Sequence, residues 1–419
     1  MSRMWRKRES TGRGNSYVDS KELMWLENAA IRYVTSMNYK TNEQIISTGL
    51  IVDGTPLVMD DLKLLSKDLD SVKVSDRSKE VIREVIRNED KVKLEVEKYV
   101  WMIEQYGIKL IPRTHRDYPY SWKKLSGMPP LIFARGDTSI LSSISVNGAA
   151  AIVGSRDASR YALYATGQFS AKLAGKGVVI VSGLALGTDR KAHEACIEEG
   201  GKTVAITAGG SDVVYPYQNK DLYERITENG VLITELPPGQ EVMKQYFPSR
   251  NRLISALSDV CLIMEAGMYS GTLHTASFAG NQGKDVFVLP NSIYSDNSLG
   301  GLLLLRDGAE VLIDVQSVYE RILQVVDSRR ADLEDMNSEA GTGITELRCR
   351  VKNDPESLSE DDWKAVVCDE ISERPKNIDD LCISLGIPIS YLSSLVTMLE
   401  TEGRIANEKG KYVLTIRKG

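Results

Sequence analysis

Five short loops in this chain combine glycine, hydroxyl and arginine residues, and each begins where an apolar run stops. "GSR" (Gly154, Ser155, Arg156) follows "AAAIV", and "SGLALGTD" (Ser182 to Asp189) closes "VVIVS". "AGGSDVVYP" follows "TVAIT"; "ELPPGQ" follows "VLIT", with "FPSRNR" (Phe247 to Arg252) beyond it; "EAGMYSGTLHTA" follows "VCLI". Glycine lets a backbone amide come close to a ligand, hydroxyls add donors, and the arginine fork matches phosphate oxygens. That chemistry grips an anion. Gly154, Ser155, Arg156, Ser182, Gly183, Gly187, Arg250, Asn251, Arg252, Ser270, Gly271 and Thr272 are the candidate contacts.

Each loop also has a plainer reading. The glycines at 183 and 187 form neither GxGxxG nor a Walker A loop, and such a turn alone serves a tight strand-to-helix connection. "SRNR" reads equally as a helix start capped by Ser249 or Asn251, with its arginines in solvent. Five loops of one character on one sheet edge favour a phosphate site all the same. Catalysis is harder to support. Glu235 and Glu265 are the only carboxylates that end strands, and Glu265 is expected to cap loop amides. Asp189 reads as a helix cap and His193, beside Ala192 and Ala195, as a packed structural histidine. No nucleophile–base pair is legible, so no catalytic residue is assigned and the protein is expected to hold its ligand, not process it.

The elements that must position these loops follow from periodicity. From Ala149 onward, seven β-branched runs (149–153, 178–182, 203–207, 231–234, 260–265, 285–290 and 310–313) alternate with helical segments. Continuous apolar strands separated by helices mean a parallel sheet covered on both faces, a doubly wound Rossmann-like α/β domain. Ligands of such sheets bind beyond the carboxyl ends of the strands, where following helices point their N-termini. Residues 1–18 read as a disordered basic arm, 19–105 as a helical N-terminal region, 106–326 as the Rossmann-like domain with its lead-in and 327–360 as a polar linker. Residues 361–419 carry three helical segments and a hairpin turning at Lys409-Gly410, a winged helix.

Composition narrows the classes. The chain has 419 residues, 42% hydrophobic and 26% charged, with a net charge of −6. That balance argues against coating nucleic acid through bulk positive potential, though not against a local basic pocket. Five cysteines without a CxxC pair and three histidines leave no disulfide framework and no zinc site, and point to a reducing cytoplasm. No apolar run reaches the length of a membrane span. No cofactor or metal is expected.

The ordered series "AIVGSR", "VVIVSGLALGTDRKAHEACIEEGGKTVAI", "GGSDVVYP", "TELPPG", "YFPSRNRLISALSDVCLIMEA", "SGTLHTASFAGNQGKDVFVLP" and "LLRDGAEVL" resembles the DNA-processing protein DprA (Smf) family of the DprA/LOG superfamily. "YGIKLIPRTHRDYPYSWKKLSGMPPLIFARGD" is similar to that family's lead-in, and the likeness runs from about residue 101 to 325. The resemblance implies a dimeric protein that binds and protects incoming single-stranded DNA in a basic pocket and hands it to the RecA recombinase during natural transformation. It implies phosphate contacts from Arg156, Arg250 and Arg252, and backbone or hydroxyl contacts from Gly154, Ser155, Ser182, Gly183, Ser270, Gly271 and Thr272. Two positions depart from the family pattern: Thr188 stands in "GTD" where the family has "GID", and Leu302 stands where it has asparagine.

Single-strand binding also uses aromatic faces. Tyr161, Tyr215, Tyr217, Tyr246, Phe247 and Tyr269 flank the loops, and at least half of them are expected to be core or interface residues. The presumed recognition helix "PISYLSSLVTMLETEG" has no lysine or arginine and carries Glu400 and Glu402, with only Lys409 and Lys411 as basic neighbours. It suits a protein contact or a regulatory role better than duplex readout. The competing class is a nucleotide phosphoribohydrolase of the LOG type, which resembles "PGGxGTxxE". Here Leu273, His274, Thr275 and Ala276 follow Thr272 and no acid is present. A dinucleotide-dependent oxidoreductase would need a fingerprint that the chain lacks.

Overall fold

The computed structural model describes residues 20–34, 51–52, 55–56, 58–66, 76–331, 358–373, 376–385, 387, 389–402, 404–408 and 411–414. The expected basic arm, residues 332–357 of the expected linker and the Lys409-Gly410 turn lie outside the described residues. The chain forms two units, Met1–Val326 and Asp327–Gly419.

Unit one is built on a nine-stranded sheet. Its strands are β3 (Lys109–Pro112), β4 (Leu131–Gly136), β5 (Ala149–Val153), β6 (Val179–Ser182), β7 (Thr203–Ile206), β8 (Val231–Thr234), β9 (Val260–Ile263), β10 (Asp285–Val288) and β11 (Glu310–Val311), after a small hairpin of β1 (Ile51–Val52) and β2 (Thr55–Pro56). They lie in the order β11-β10-β9-β5-β6-β7-β8-β4-β3. The seven strands expected from the apolar runs are mutually parallel. β4 runs antiparallel to both β8 and β3. These last two strands of the sheet come from the lead-in, where "KLIP" ends in proline and "LIFARG" in arginine and glycine, so neither reads as a continuous apolar run.

Side-chain alternation explains why the central strands are apolar throughout. Ala149, Ala151, Val153, Val179, Val181, Cys261 and Ile263 pack into one core, while Ala150, Ile152, Ile180, Val260 and Leu262 pack into another. One face is covered by α6 (Ser139–Asn147), α10 (Tyr246–Leu257) and α11 (Thr272–Asn281). The other is covered by α7 (Arg160–Gly175), α8 (Thr188–Glu198) and a helix over residues 315–331. With helices on both sides, neither strand face meets water, and burying each branched side chain contributes about 1.5–3 kcal/mol.

The helical N-terminal region does not stand apart from this sheet. α1 (Ser20–Val34), α2 (Met59–Ser66), α3 (Asp76–Arg87) and α4 (Glu89–Tyr106) share a core with Leu110, Leu131 and Phe133 of β3 and β4. The described helices of this region therefore share a core with the end of the sheet, although the sequence suggests a boundary near residue 105.

In unit two, α14 (Glu360–Glu373), α15 (Ile378–Leu385) and α16 (Ile389–Thr401) close around Trp363, Val367, Leu381, Leu392, Leu395 and Leu399. β12 (Ile405–Glu408) and β13 (Lys411–Leu414) pair antiparallel, and Lys376 bridges to Tyr412 beside them. Three helices and a wing are the expected arrangement. Residues 327–331 of the expected linker are helical, as the end of helix 315–331.

Candidate functional site

The chain steps outward from β5 through β6 and β7 to β8, then returns to place β9 on the other side of β5. That reversal is the topological switch point, where the loops of two adjacent strands diverge and leave a crevice. A cleft of about 800 Å³ opens there. Gly154, Ser155 and Arg156 line it from the β5 end, Ser270, Gly271 and Thr272 from the β9 end, and Arg250 and Asn251 from α10. Eight of the twelve candidate contacts thus meet in one place.

The other four serve the cleft indirectly. Ser182 is fully buried and its hydroxyl donates to the Ile152 carbonyl at 2.6 Å. Gly187 has a φ of +72°, and a Cβ there would stand 2.5 Å from the Ser155 and Arg156 carbonyls, so it permits a crossing of two backbones. Gly183 lines a small apolar side pocket with Leu186, Tyr215 and Phe247, and a Cβ on it would strike the Arg250 guanidinium at 2.1 Å. Arg252 is buried, paired with Glu235 and bonded to the Gly127 carbonyl, and does not reach the cleft.

"SRNR" is not a helix start. α10 begins at Tyr246 and Gln245 is its N-cap, so Arg250 and Arg252 sit in the second turn, two residues apart, pointing to different surroundings. Ser249 caps nothing: its hydroxyl donates to Glu235 Oε1 at 2.6 Å. Arg250 Nη1 donates to the Gly183 carbonyl and, at 2.5 Å, to the Ile206 carbonyl, joining the ends of β6 and β7. Burial lowers its guanidinium to about 10; Asp189 draws it back up and Arg156 pushes it further down. Asp189 is raised by burial against the pull of Arg250 and the Ala185 amide. Its carboxylate accepts from the Gly183 amide at 3.2 Å and the Ala185 amide at 3.4 Å. It pins the β6 loop as well as standing in the first turn of α8. Leu184 in that loop holds a φ of +57° with its side chain buried, and Asn219 bonds its carbonyl at 2.8 Å. The loop is held stiffly before any ligand arrives.

Arg156 differs. It is exposed, makes no ion pair among the described residues, and its guanidinium lies 4.8 Å from the centre of the Phe247 ring. Asn251 ties Arg250 to the opposite wall, accepting from its Nε at 3.1 Å and donating to the Gly271 carbonyl at 3.2 Å. The cleft is less basic than the family resemblance implies, since Asp157, Asp189 and Asp296 line it beside the two arginines.

The remaining polar candidates are structural. Glu265 accepts from the Ser159 amide at 2.8 Å, at the cap of α7, and from Asn291 at 3.0 Å. His193 is fully buried, its Nδ1 is 2.7 Å from the Thr203 hydroxyl, and burial lowers it to about 3. Among the described residues no group of His, Cys, Asp or Glu is arranged to hold a metal ion, and no helix is long and apolar enough to cross a membrane.

Within a single chain most of the aromatics flanking the loops lie outside the core. Only Tyr246 is buried; Phe247 is half-buried against Tyr215 with ring centres 6.0 Å apart, and Tyr161, Tyr215, Tyr217 and Tyr269 face solvent. Tyr294, which periodicity did not single out, is 93% exposed on the loop after β10. In unit two, α16 is not as isolated from basic residues as the sequence suggested: Lys364 sits between Glu402 at 2.7 Å and Glu360 at 3.0 Å, and Arg404 is 3.8 Å from Glu402.

The family model described as DNA recombination-mediator protein A matches residues 109–323, and that of the DprA winged helix domain matches residues 352–411. The DNA processing protein DprA of Bacillus subtilis is 34% identical over 218 residues, 52% of this chain and 72% of that one. Protein Smf of Synechocystis is 31% identical over 307 residues, 70% of this chain and 77% of that one. The X-ray structure of DNA processing protein A from Streptococcus pneumoniae aligns with a TM-score of 0.55 at 27% identity, covering 73% of this chain and 98% of that one. With its sheet, its switch-point loops and its terminal winged helix all accounted for, this chain belongs to the DNA recombination-mediator protein A family, whose members are named DprA or Smf.

Proposed function

We propose that this protein binds single-stranded DNA in the switch-point cleft, protects the strand and loads the RecA recombinase onto it, acting as a cytoplasmic homodimer in natural transformation. Family membership supports the DNA-processing role. The observation that carries the cleft assignment is Arg156: a cation without a carboxylate partner, set on an aromatic face, at the mouth of a rigid cleft. Among the described residues, the Ser155 and Arg156 amides donate no hydrogen bond, so two backbone donors stand beside that cation. A guanidinium, free amides and a ring are what a sugar–phosphate chain with exposed bases asks for.

Holding without cleavage is the reading that the side chains favour. Asp189 is occupied by loop amides, Glu265 by a helix cap and Glu235 by Arg252, and the hydroxyls that meet a base, Ser249 at Glu235 and Thr203 at His193, do not line the cleft. A mobility shift with oligo-dT against duplex of equal length should show single-strand preference and an affinity that falls with salt. Equal affinity for both would remove this reading, and release of adenine from AMP would replace it with the phosphoribohydrolase. RecA loading is tested by RecA filament formation on oligo-dT already covered by a single-strand-binding protein; no acceleration over RecA alone would withdraw that step.

A further inference from the structure

At about 800 Å³ the cleft has the capacity of a pocket for one small ligand, whereas a single strand is a polymer. Whatever the cleft grips must leave over its rim. One rim consists of the loop after β9, residues 267–271, and the loop after β10, residues 291–298. The two are joined to each other and to the β5 loop. The backbone at Gly267 closely approaches the Asp296 carbonyl, which a Cβ on Gly267 would meet at 3.1 Å, and Asn297 donates to the Asp157 carbonyl at 3.1 Å. The second loop is fixed internally as well: Ser298 Oγ donates to the Ser292 carbonyl at 2.5 Å, and the Tyr294 amide donates to Ser292 Oγ at 3.2 Å.

On this ordered backbone the side chains are left in water. Tyr269 is 99% exposed and Tyr294 93%. Residues 264–298 carry no arginine, and their one lysine, Lys284, lies beyond α11. Of the charged residues that line the cleft, Asp157 and Asp296 belong to the segments this rim joins, next to Arg156 on the β5 loop. Phosphates are repelled there, so a strand crossing this rim must turn its backbone outward and its bases inward, towards the rings. We infer that Tyr269 and Tyr294 form a base-stacking platform that carries the strand onward from the cleft, an inference resting on the single-strand reading above. The cleft then divides the work: Arg156 takes phosphate on one side, and the tyrosines take bases on the other.

Stacking is tolerant of sequence and adds no phosphate neutralisation, which makes it separable from the cleft. The test compares oligo-dT of about four nucleotides with oligo-dT of about fifteen, within the range that single-strand-binding folds occupy. For the full chain carrying Tyr294→Ala, affinity for the long oligomer should fall about fivefold to tenfold, while affinity for the short one and the slope against log salt stay as in wild type. Tyr269→Ala with Tyr294→Ala should fall further, and Tyr269→Phe with Tyr294→Phe should bind as wild type does, because the ring carries the effect. Unchanged long-oligomer affinity in the double alanine variant overturns the platform. So does a phenylalanine variant as weak as the alanine one, and so does a change of oligomeric state by light scattering, which would make the patch a contact between copies. If wild type binds neither oligomer, the proposed function fails instead.

Discussion

The cleft of the first unit and the winged helix of the second are both architectures that bind nucleic acid elsewhere, and they differ in what has been done with their positive charges. In the winged helix, Lys364 is enclosed by Glu360 and Glu402, Arg404 approaches Glu402, and Lys376 pairs with Glu370 at 2.5 Å. In the cleft, Arg156 faces no carboxylate partner. A related contrast recurs within α10: Arg252 pairs with Glu235 away from the cleft, while Arg250, near Asp189, holds two strand ends at the cleft floor. Fold does not decide which surface takes an anion; the pairing of each cation does.

Breaking an internal pair should have the largest effect. Arg252→Ala leaves the buried Glu235 carboxylate with the Ser249 hydroxyl as its hydrogen-bond donor, and removing one partner of a buried pair costs about 3–5 kcal/mol. Thermal or urea unfolding of the variant should show that loss. Arg252→Met combined with Glu235→Leu should recover part of it, since the pair is then removed whole, and the recovery is incomplete because buried Arg32 also draws on Glu235. A variant as stable as wild type would mean that Arg252 is not buried as described and would return it to the list of phosphate contacts.

The next effect concerns the sheet-covering core behind the cleft, which excludes charge at His193. His193 is held neutral: its Nδ1 hydrogen goes to Thr203 Oγ1, whose own hydroxyl donates to the Ile180 carbonyl at 2.8 Å, and Nε2 has no hydrogen-bond partner among the described residues. Burial lowers the folded imidazole to about 3 from its ordinary value near 6.5, with Arg250 adding to the shift. Between those values the unfolded chain binds a proton that the folded chain does not, so stability falls as pH falls. From pH 6.5 to pH 5 the loss from this group is about 2 kcal/mol. Asp189, raised by burial, works in the opposite direction at lower pH because its folded form accepts the proton more readily. Urea midpoints at the two pH values should converge in His193→Gln. An equal pH dependence in the variant would show that His193 is not the group responsible.

Much of this contrast was written in the chain, and the part that was not has a physical cause. The central parallel strands announce themselves because burial on both faces demands continuous apolar runs such as "AAAIV" and "VLIT". β3 and β4 do not, because "KLIP" and "LIFARG" are short and mix proline, lysine and arginine with their apolar residues. Eight candidate contacts were readable because glycine and hydroxyl loops follow strands wherever a crevice forms. The fate of Arg250 and Arg252 was not, since two arginines spaced i, i+2 on a helix face different ways and only tertiary partners tell which is neutralised. Tyr294 escaped notice for a similar reason: a single exposed ring in a polar loop leaves no periodic trace.

Arg156 is the test of whether an unpaired charge is a functional one. Arg156→Ala should leave the unfolding midpoint within about 0.5 kcal/mol of wild type, as exposed substitutions do. It should weaken oligo-dT binding alike for every sequence and flatten the slope of log affinity against log salt by about 0.7, the share of one phosphate contact on a single strand. A sequence-dependent loss would place the residue against a base, and an unchanged slope would move the phosphate contact elsewhere.

The smallest effect is expected from deleting the winged helix. Among the described residues, Lys364, Lys376 and Arg404 already face carboxylates and α16 carries no lysine or arginine, which leaves the exposed wing Lys411 as the cation this unit offers a phosphate chain. A chain ending at residue 331, which keeps helix 315–331 whole, should therefore bind oligo-dT within about twofold of the full chain and with the same salt slope. A tenfold loss with a flatter slope would mean that the internal pairs open to receive DNA. The contrast between the two units would then be one of state, and the pairing seen here would be a resting arrangement that a phosphate chain displaces.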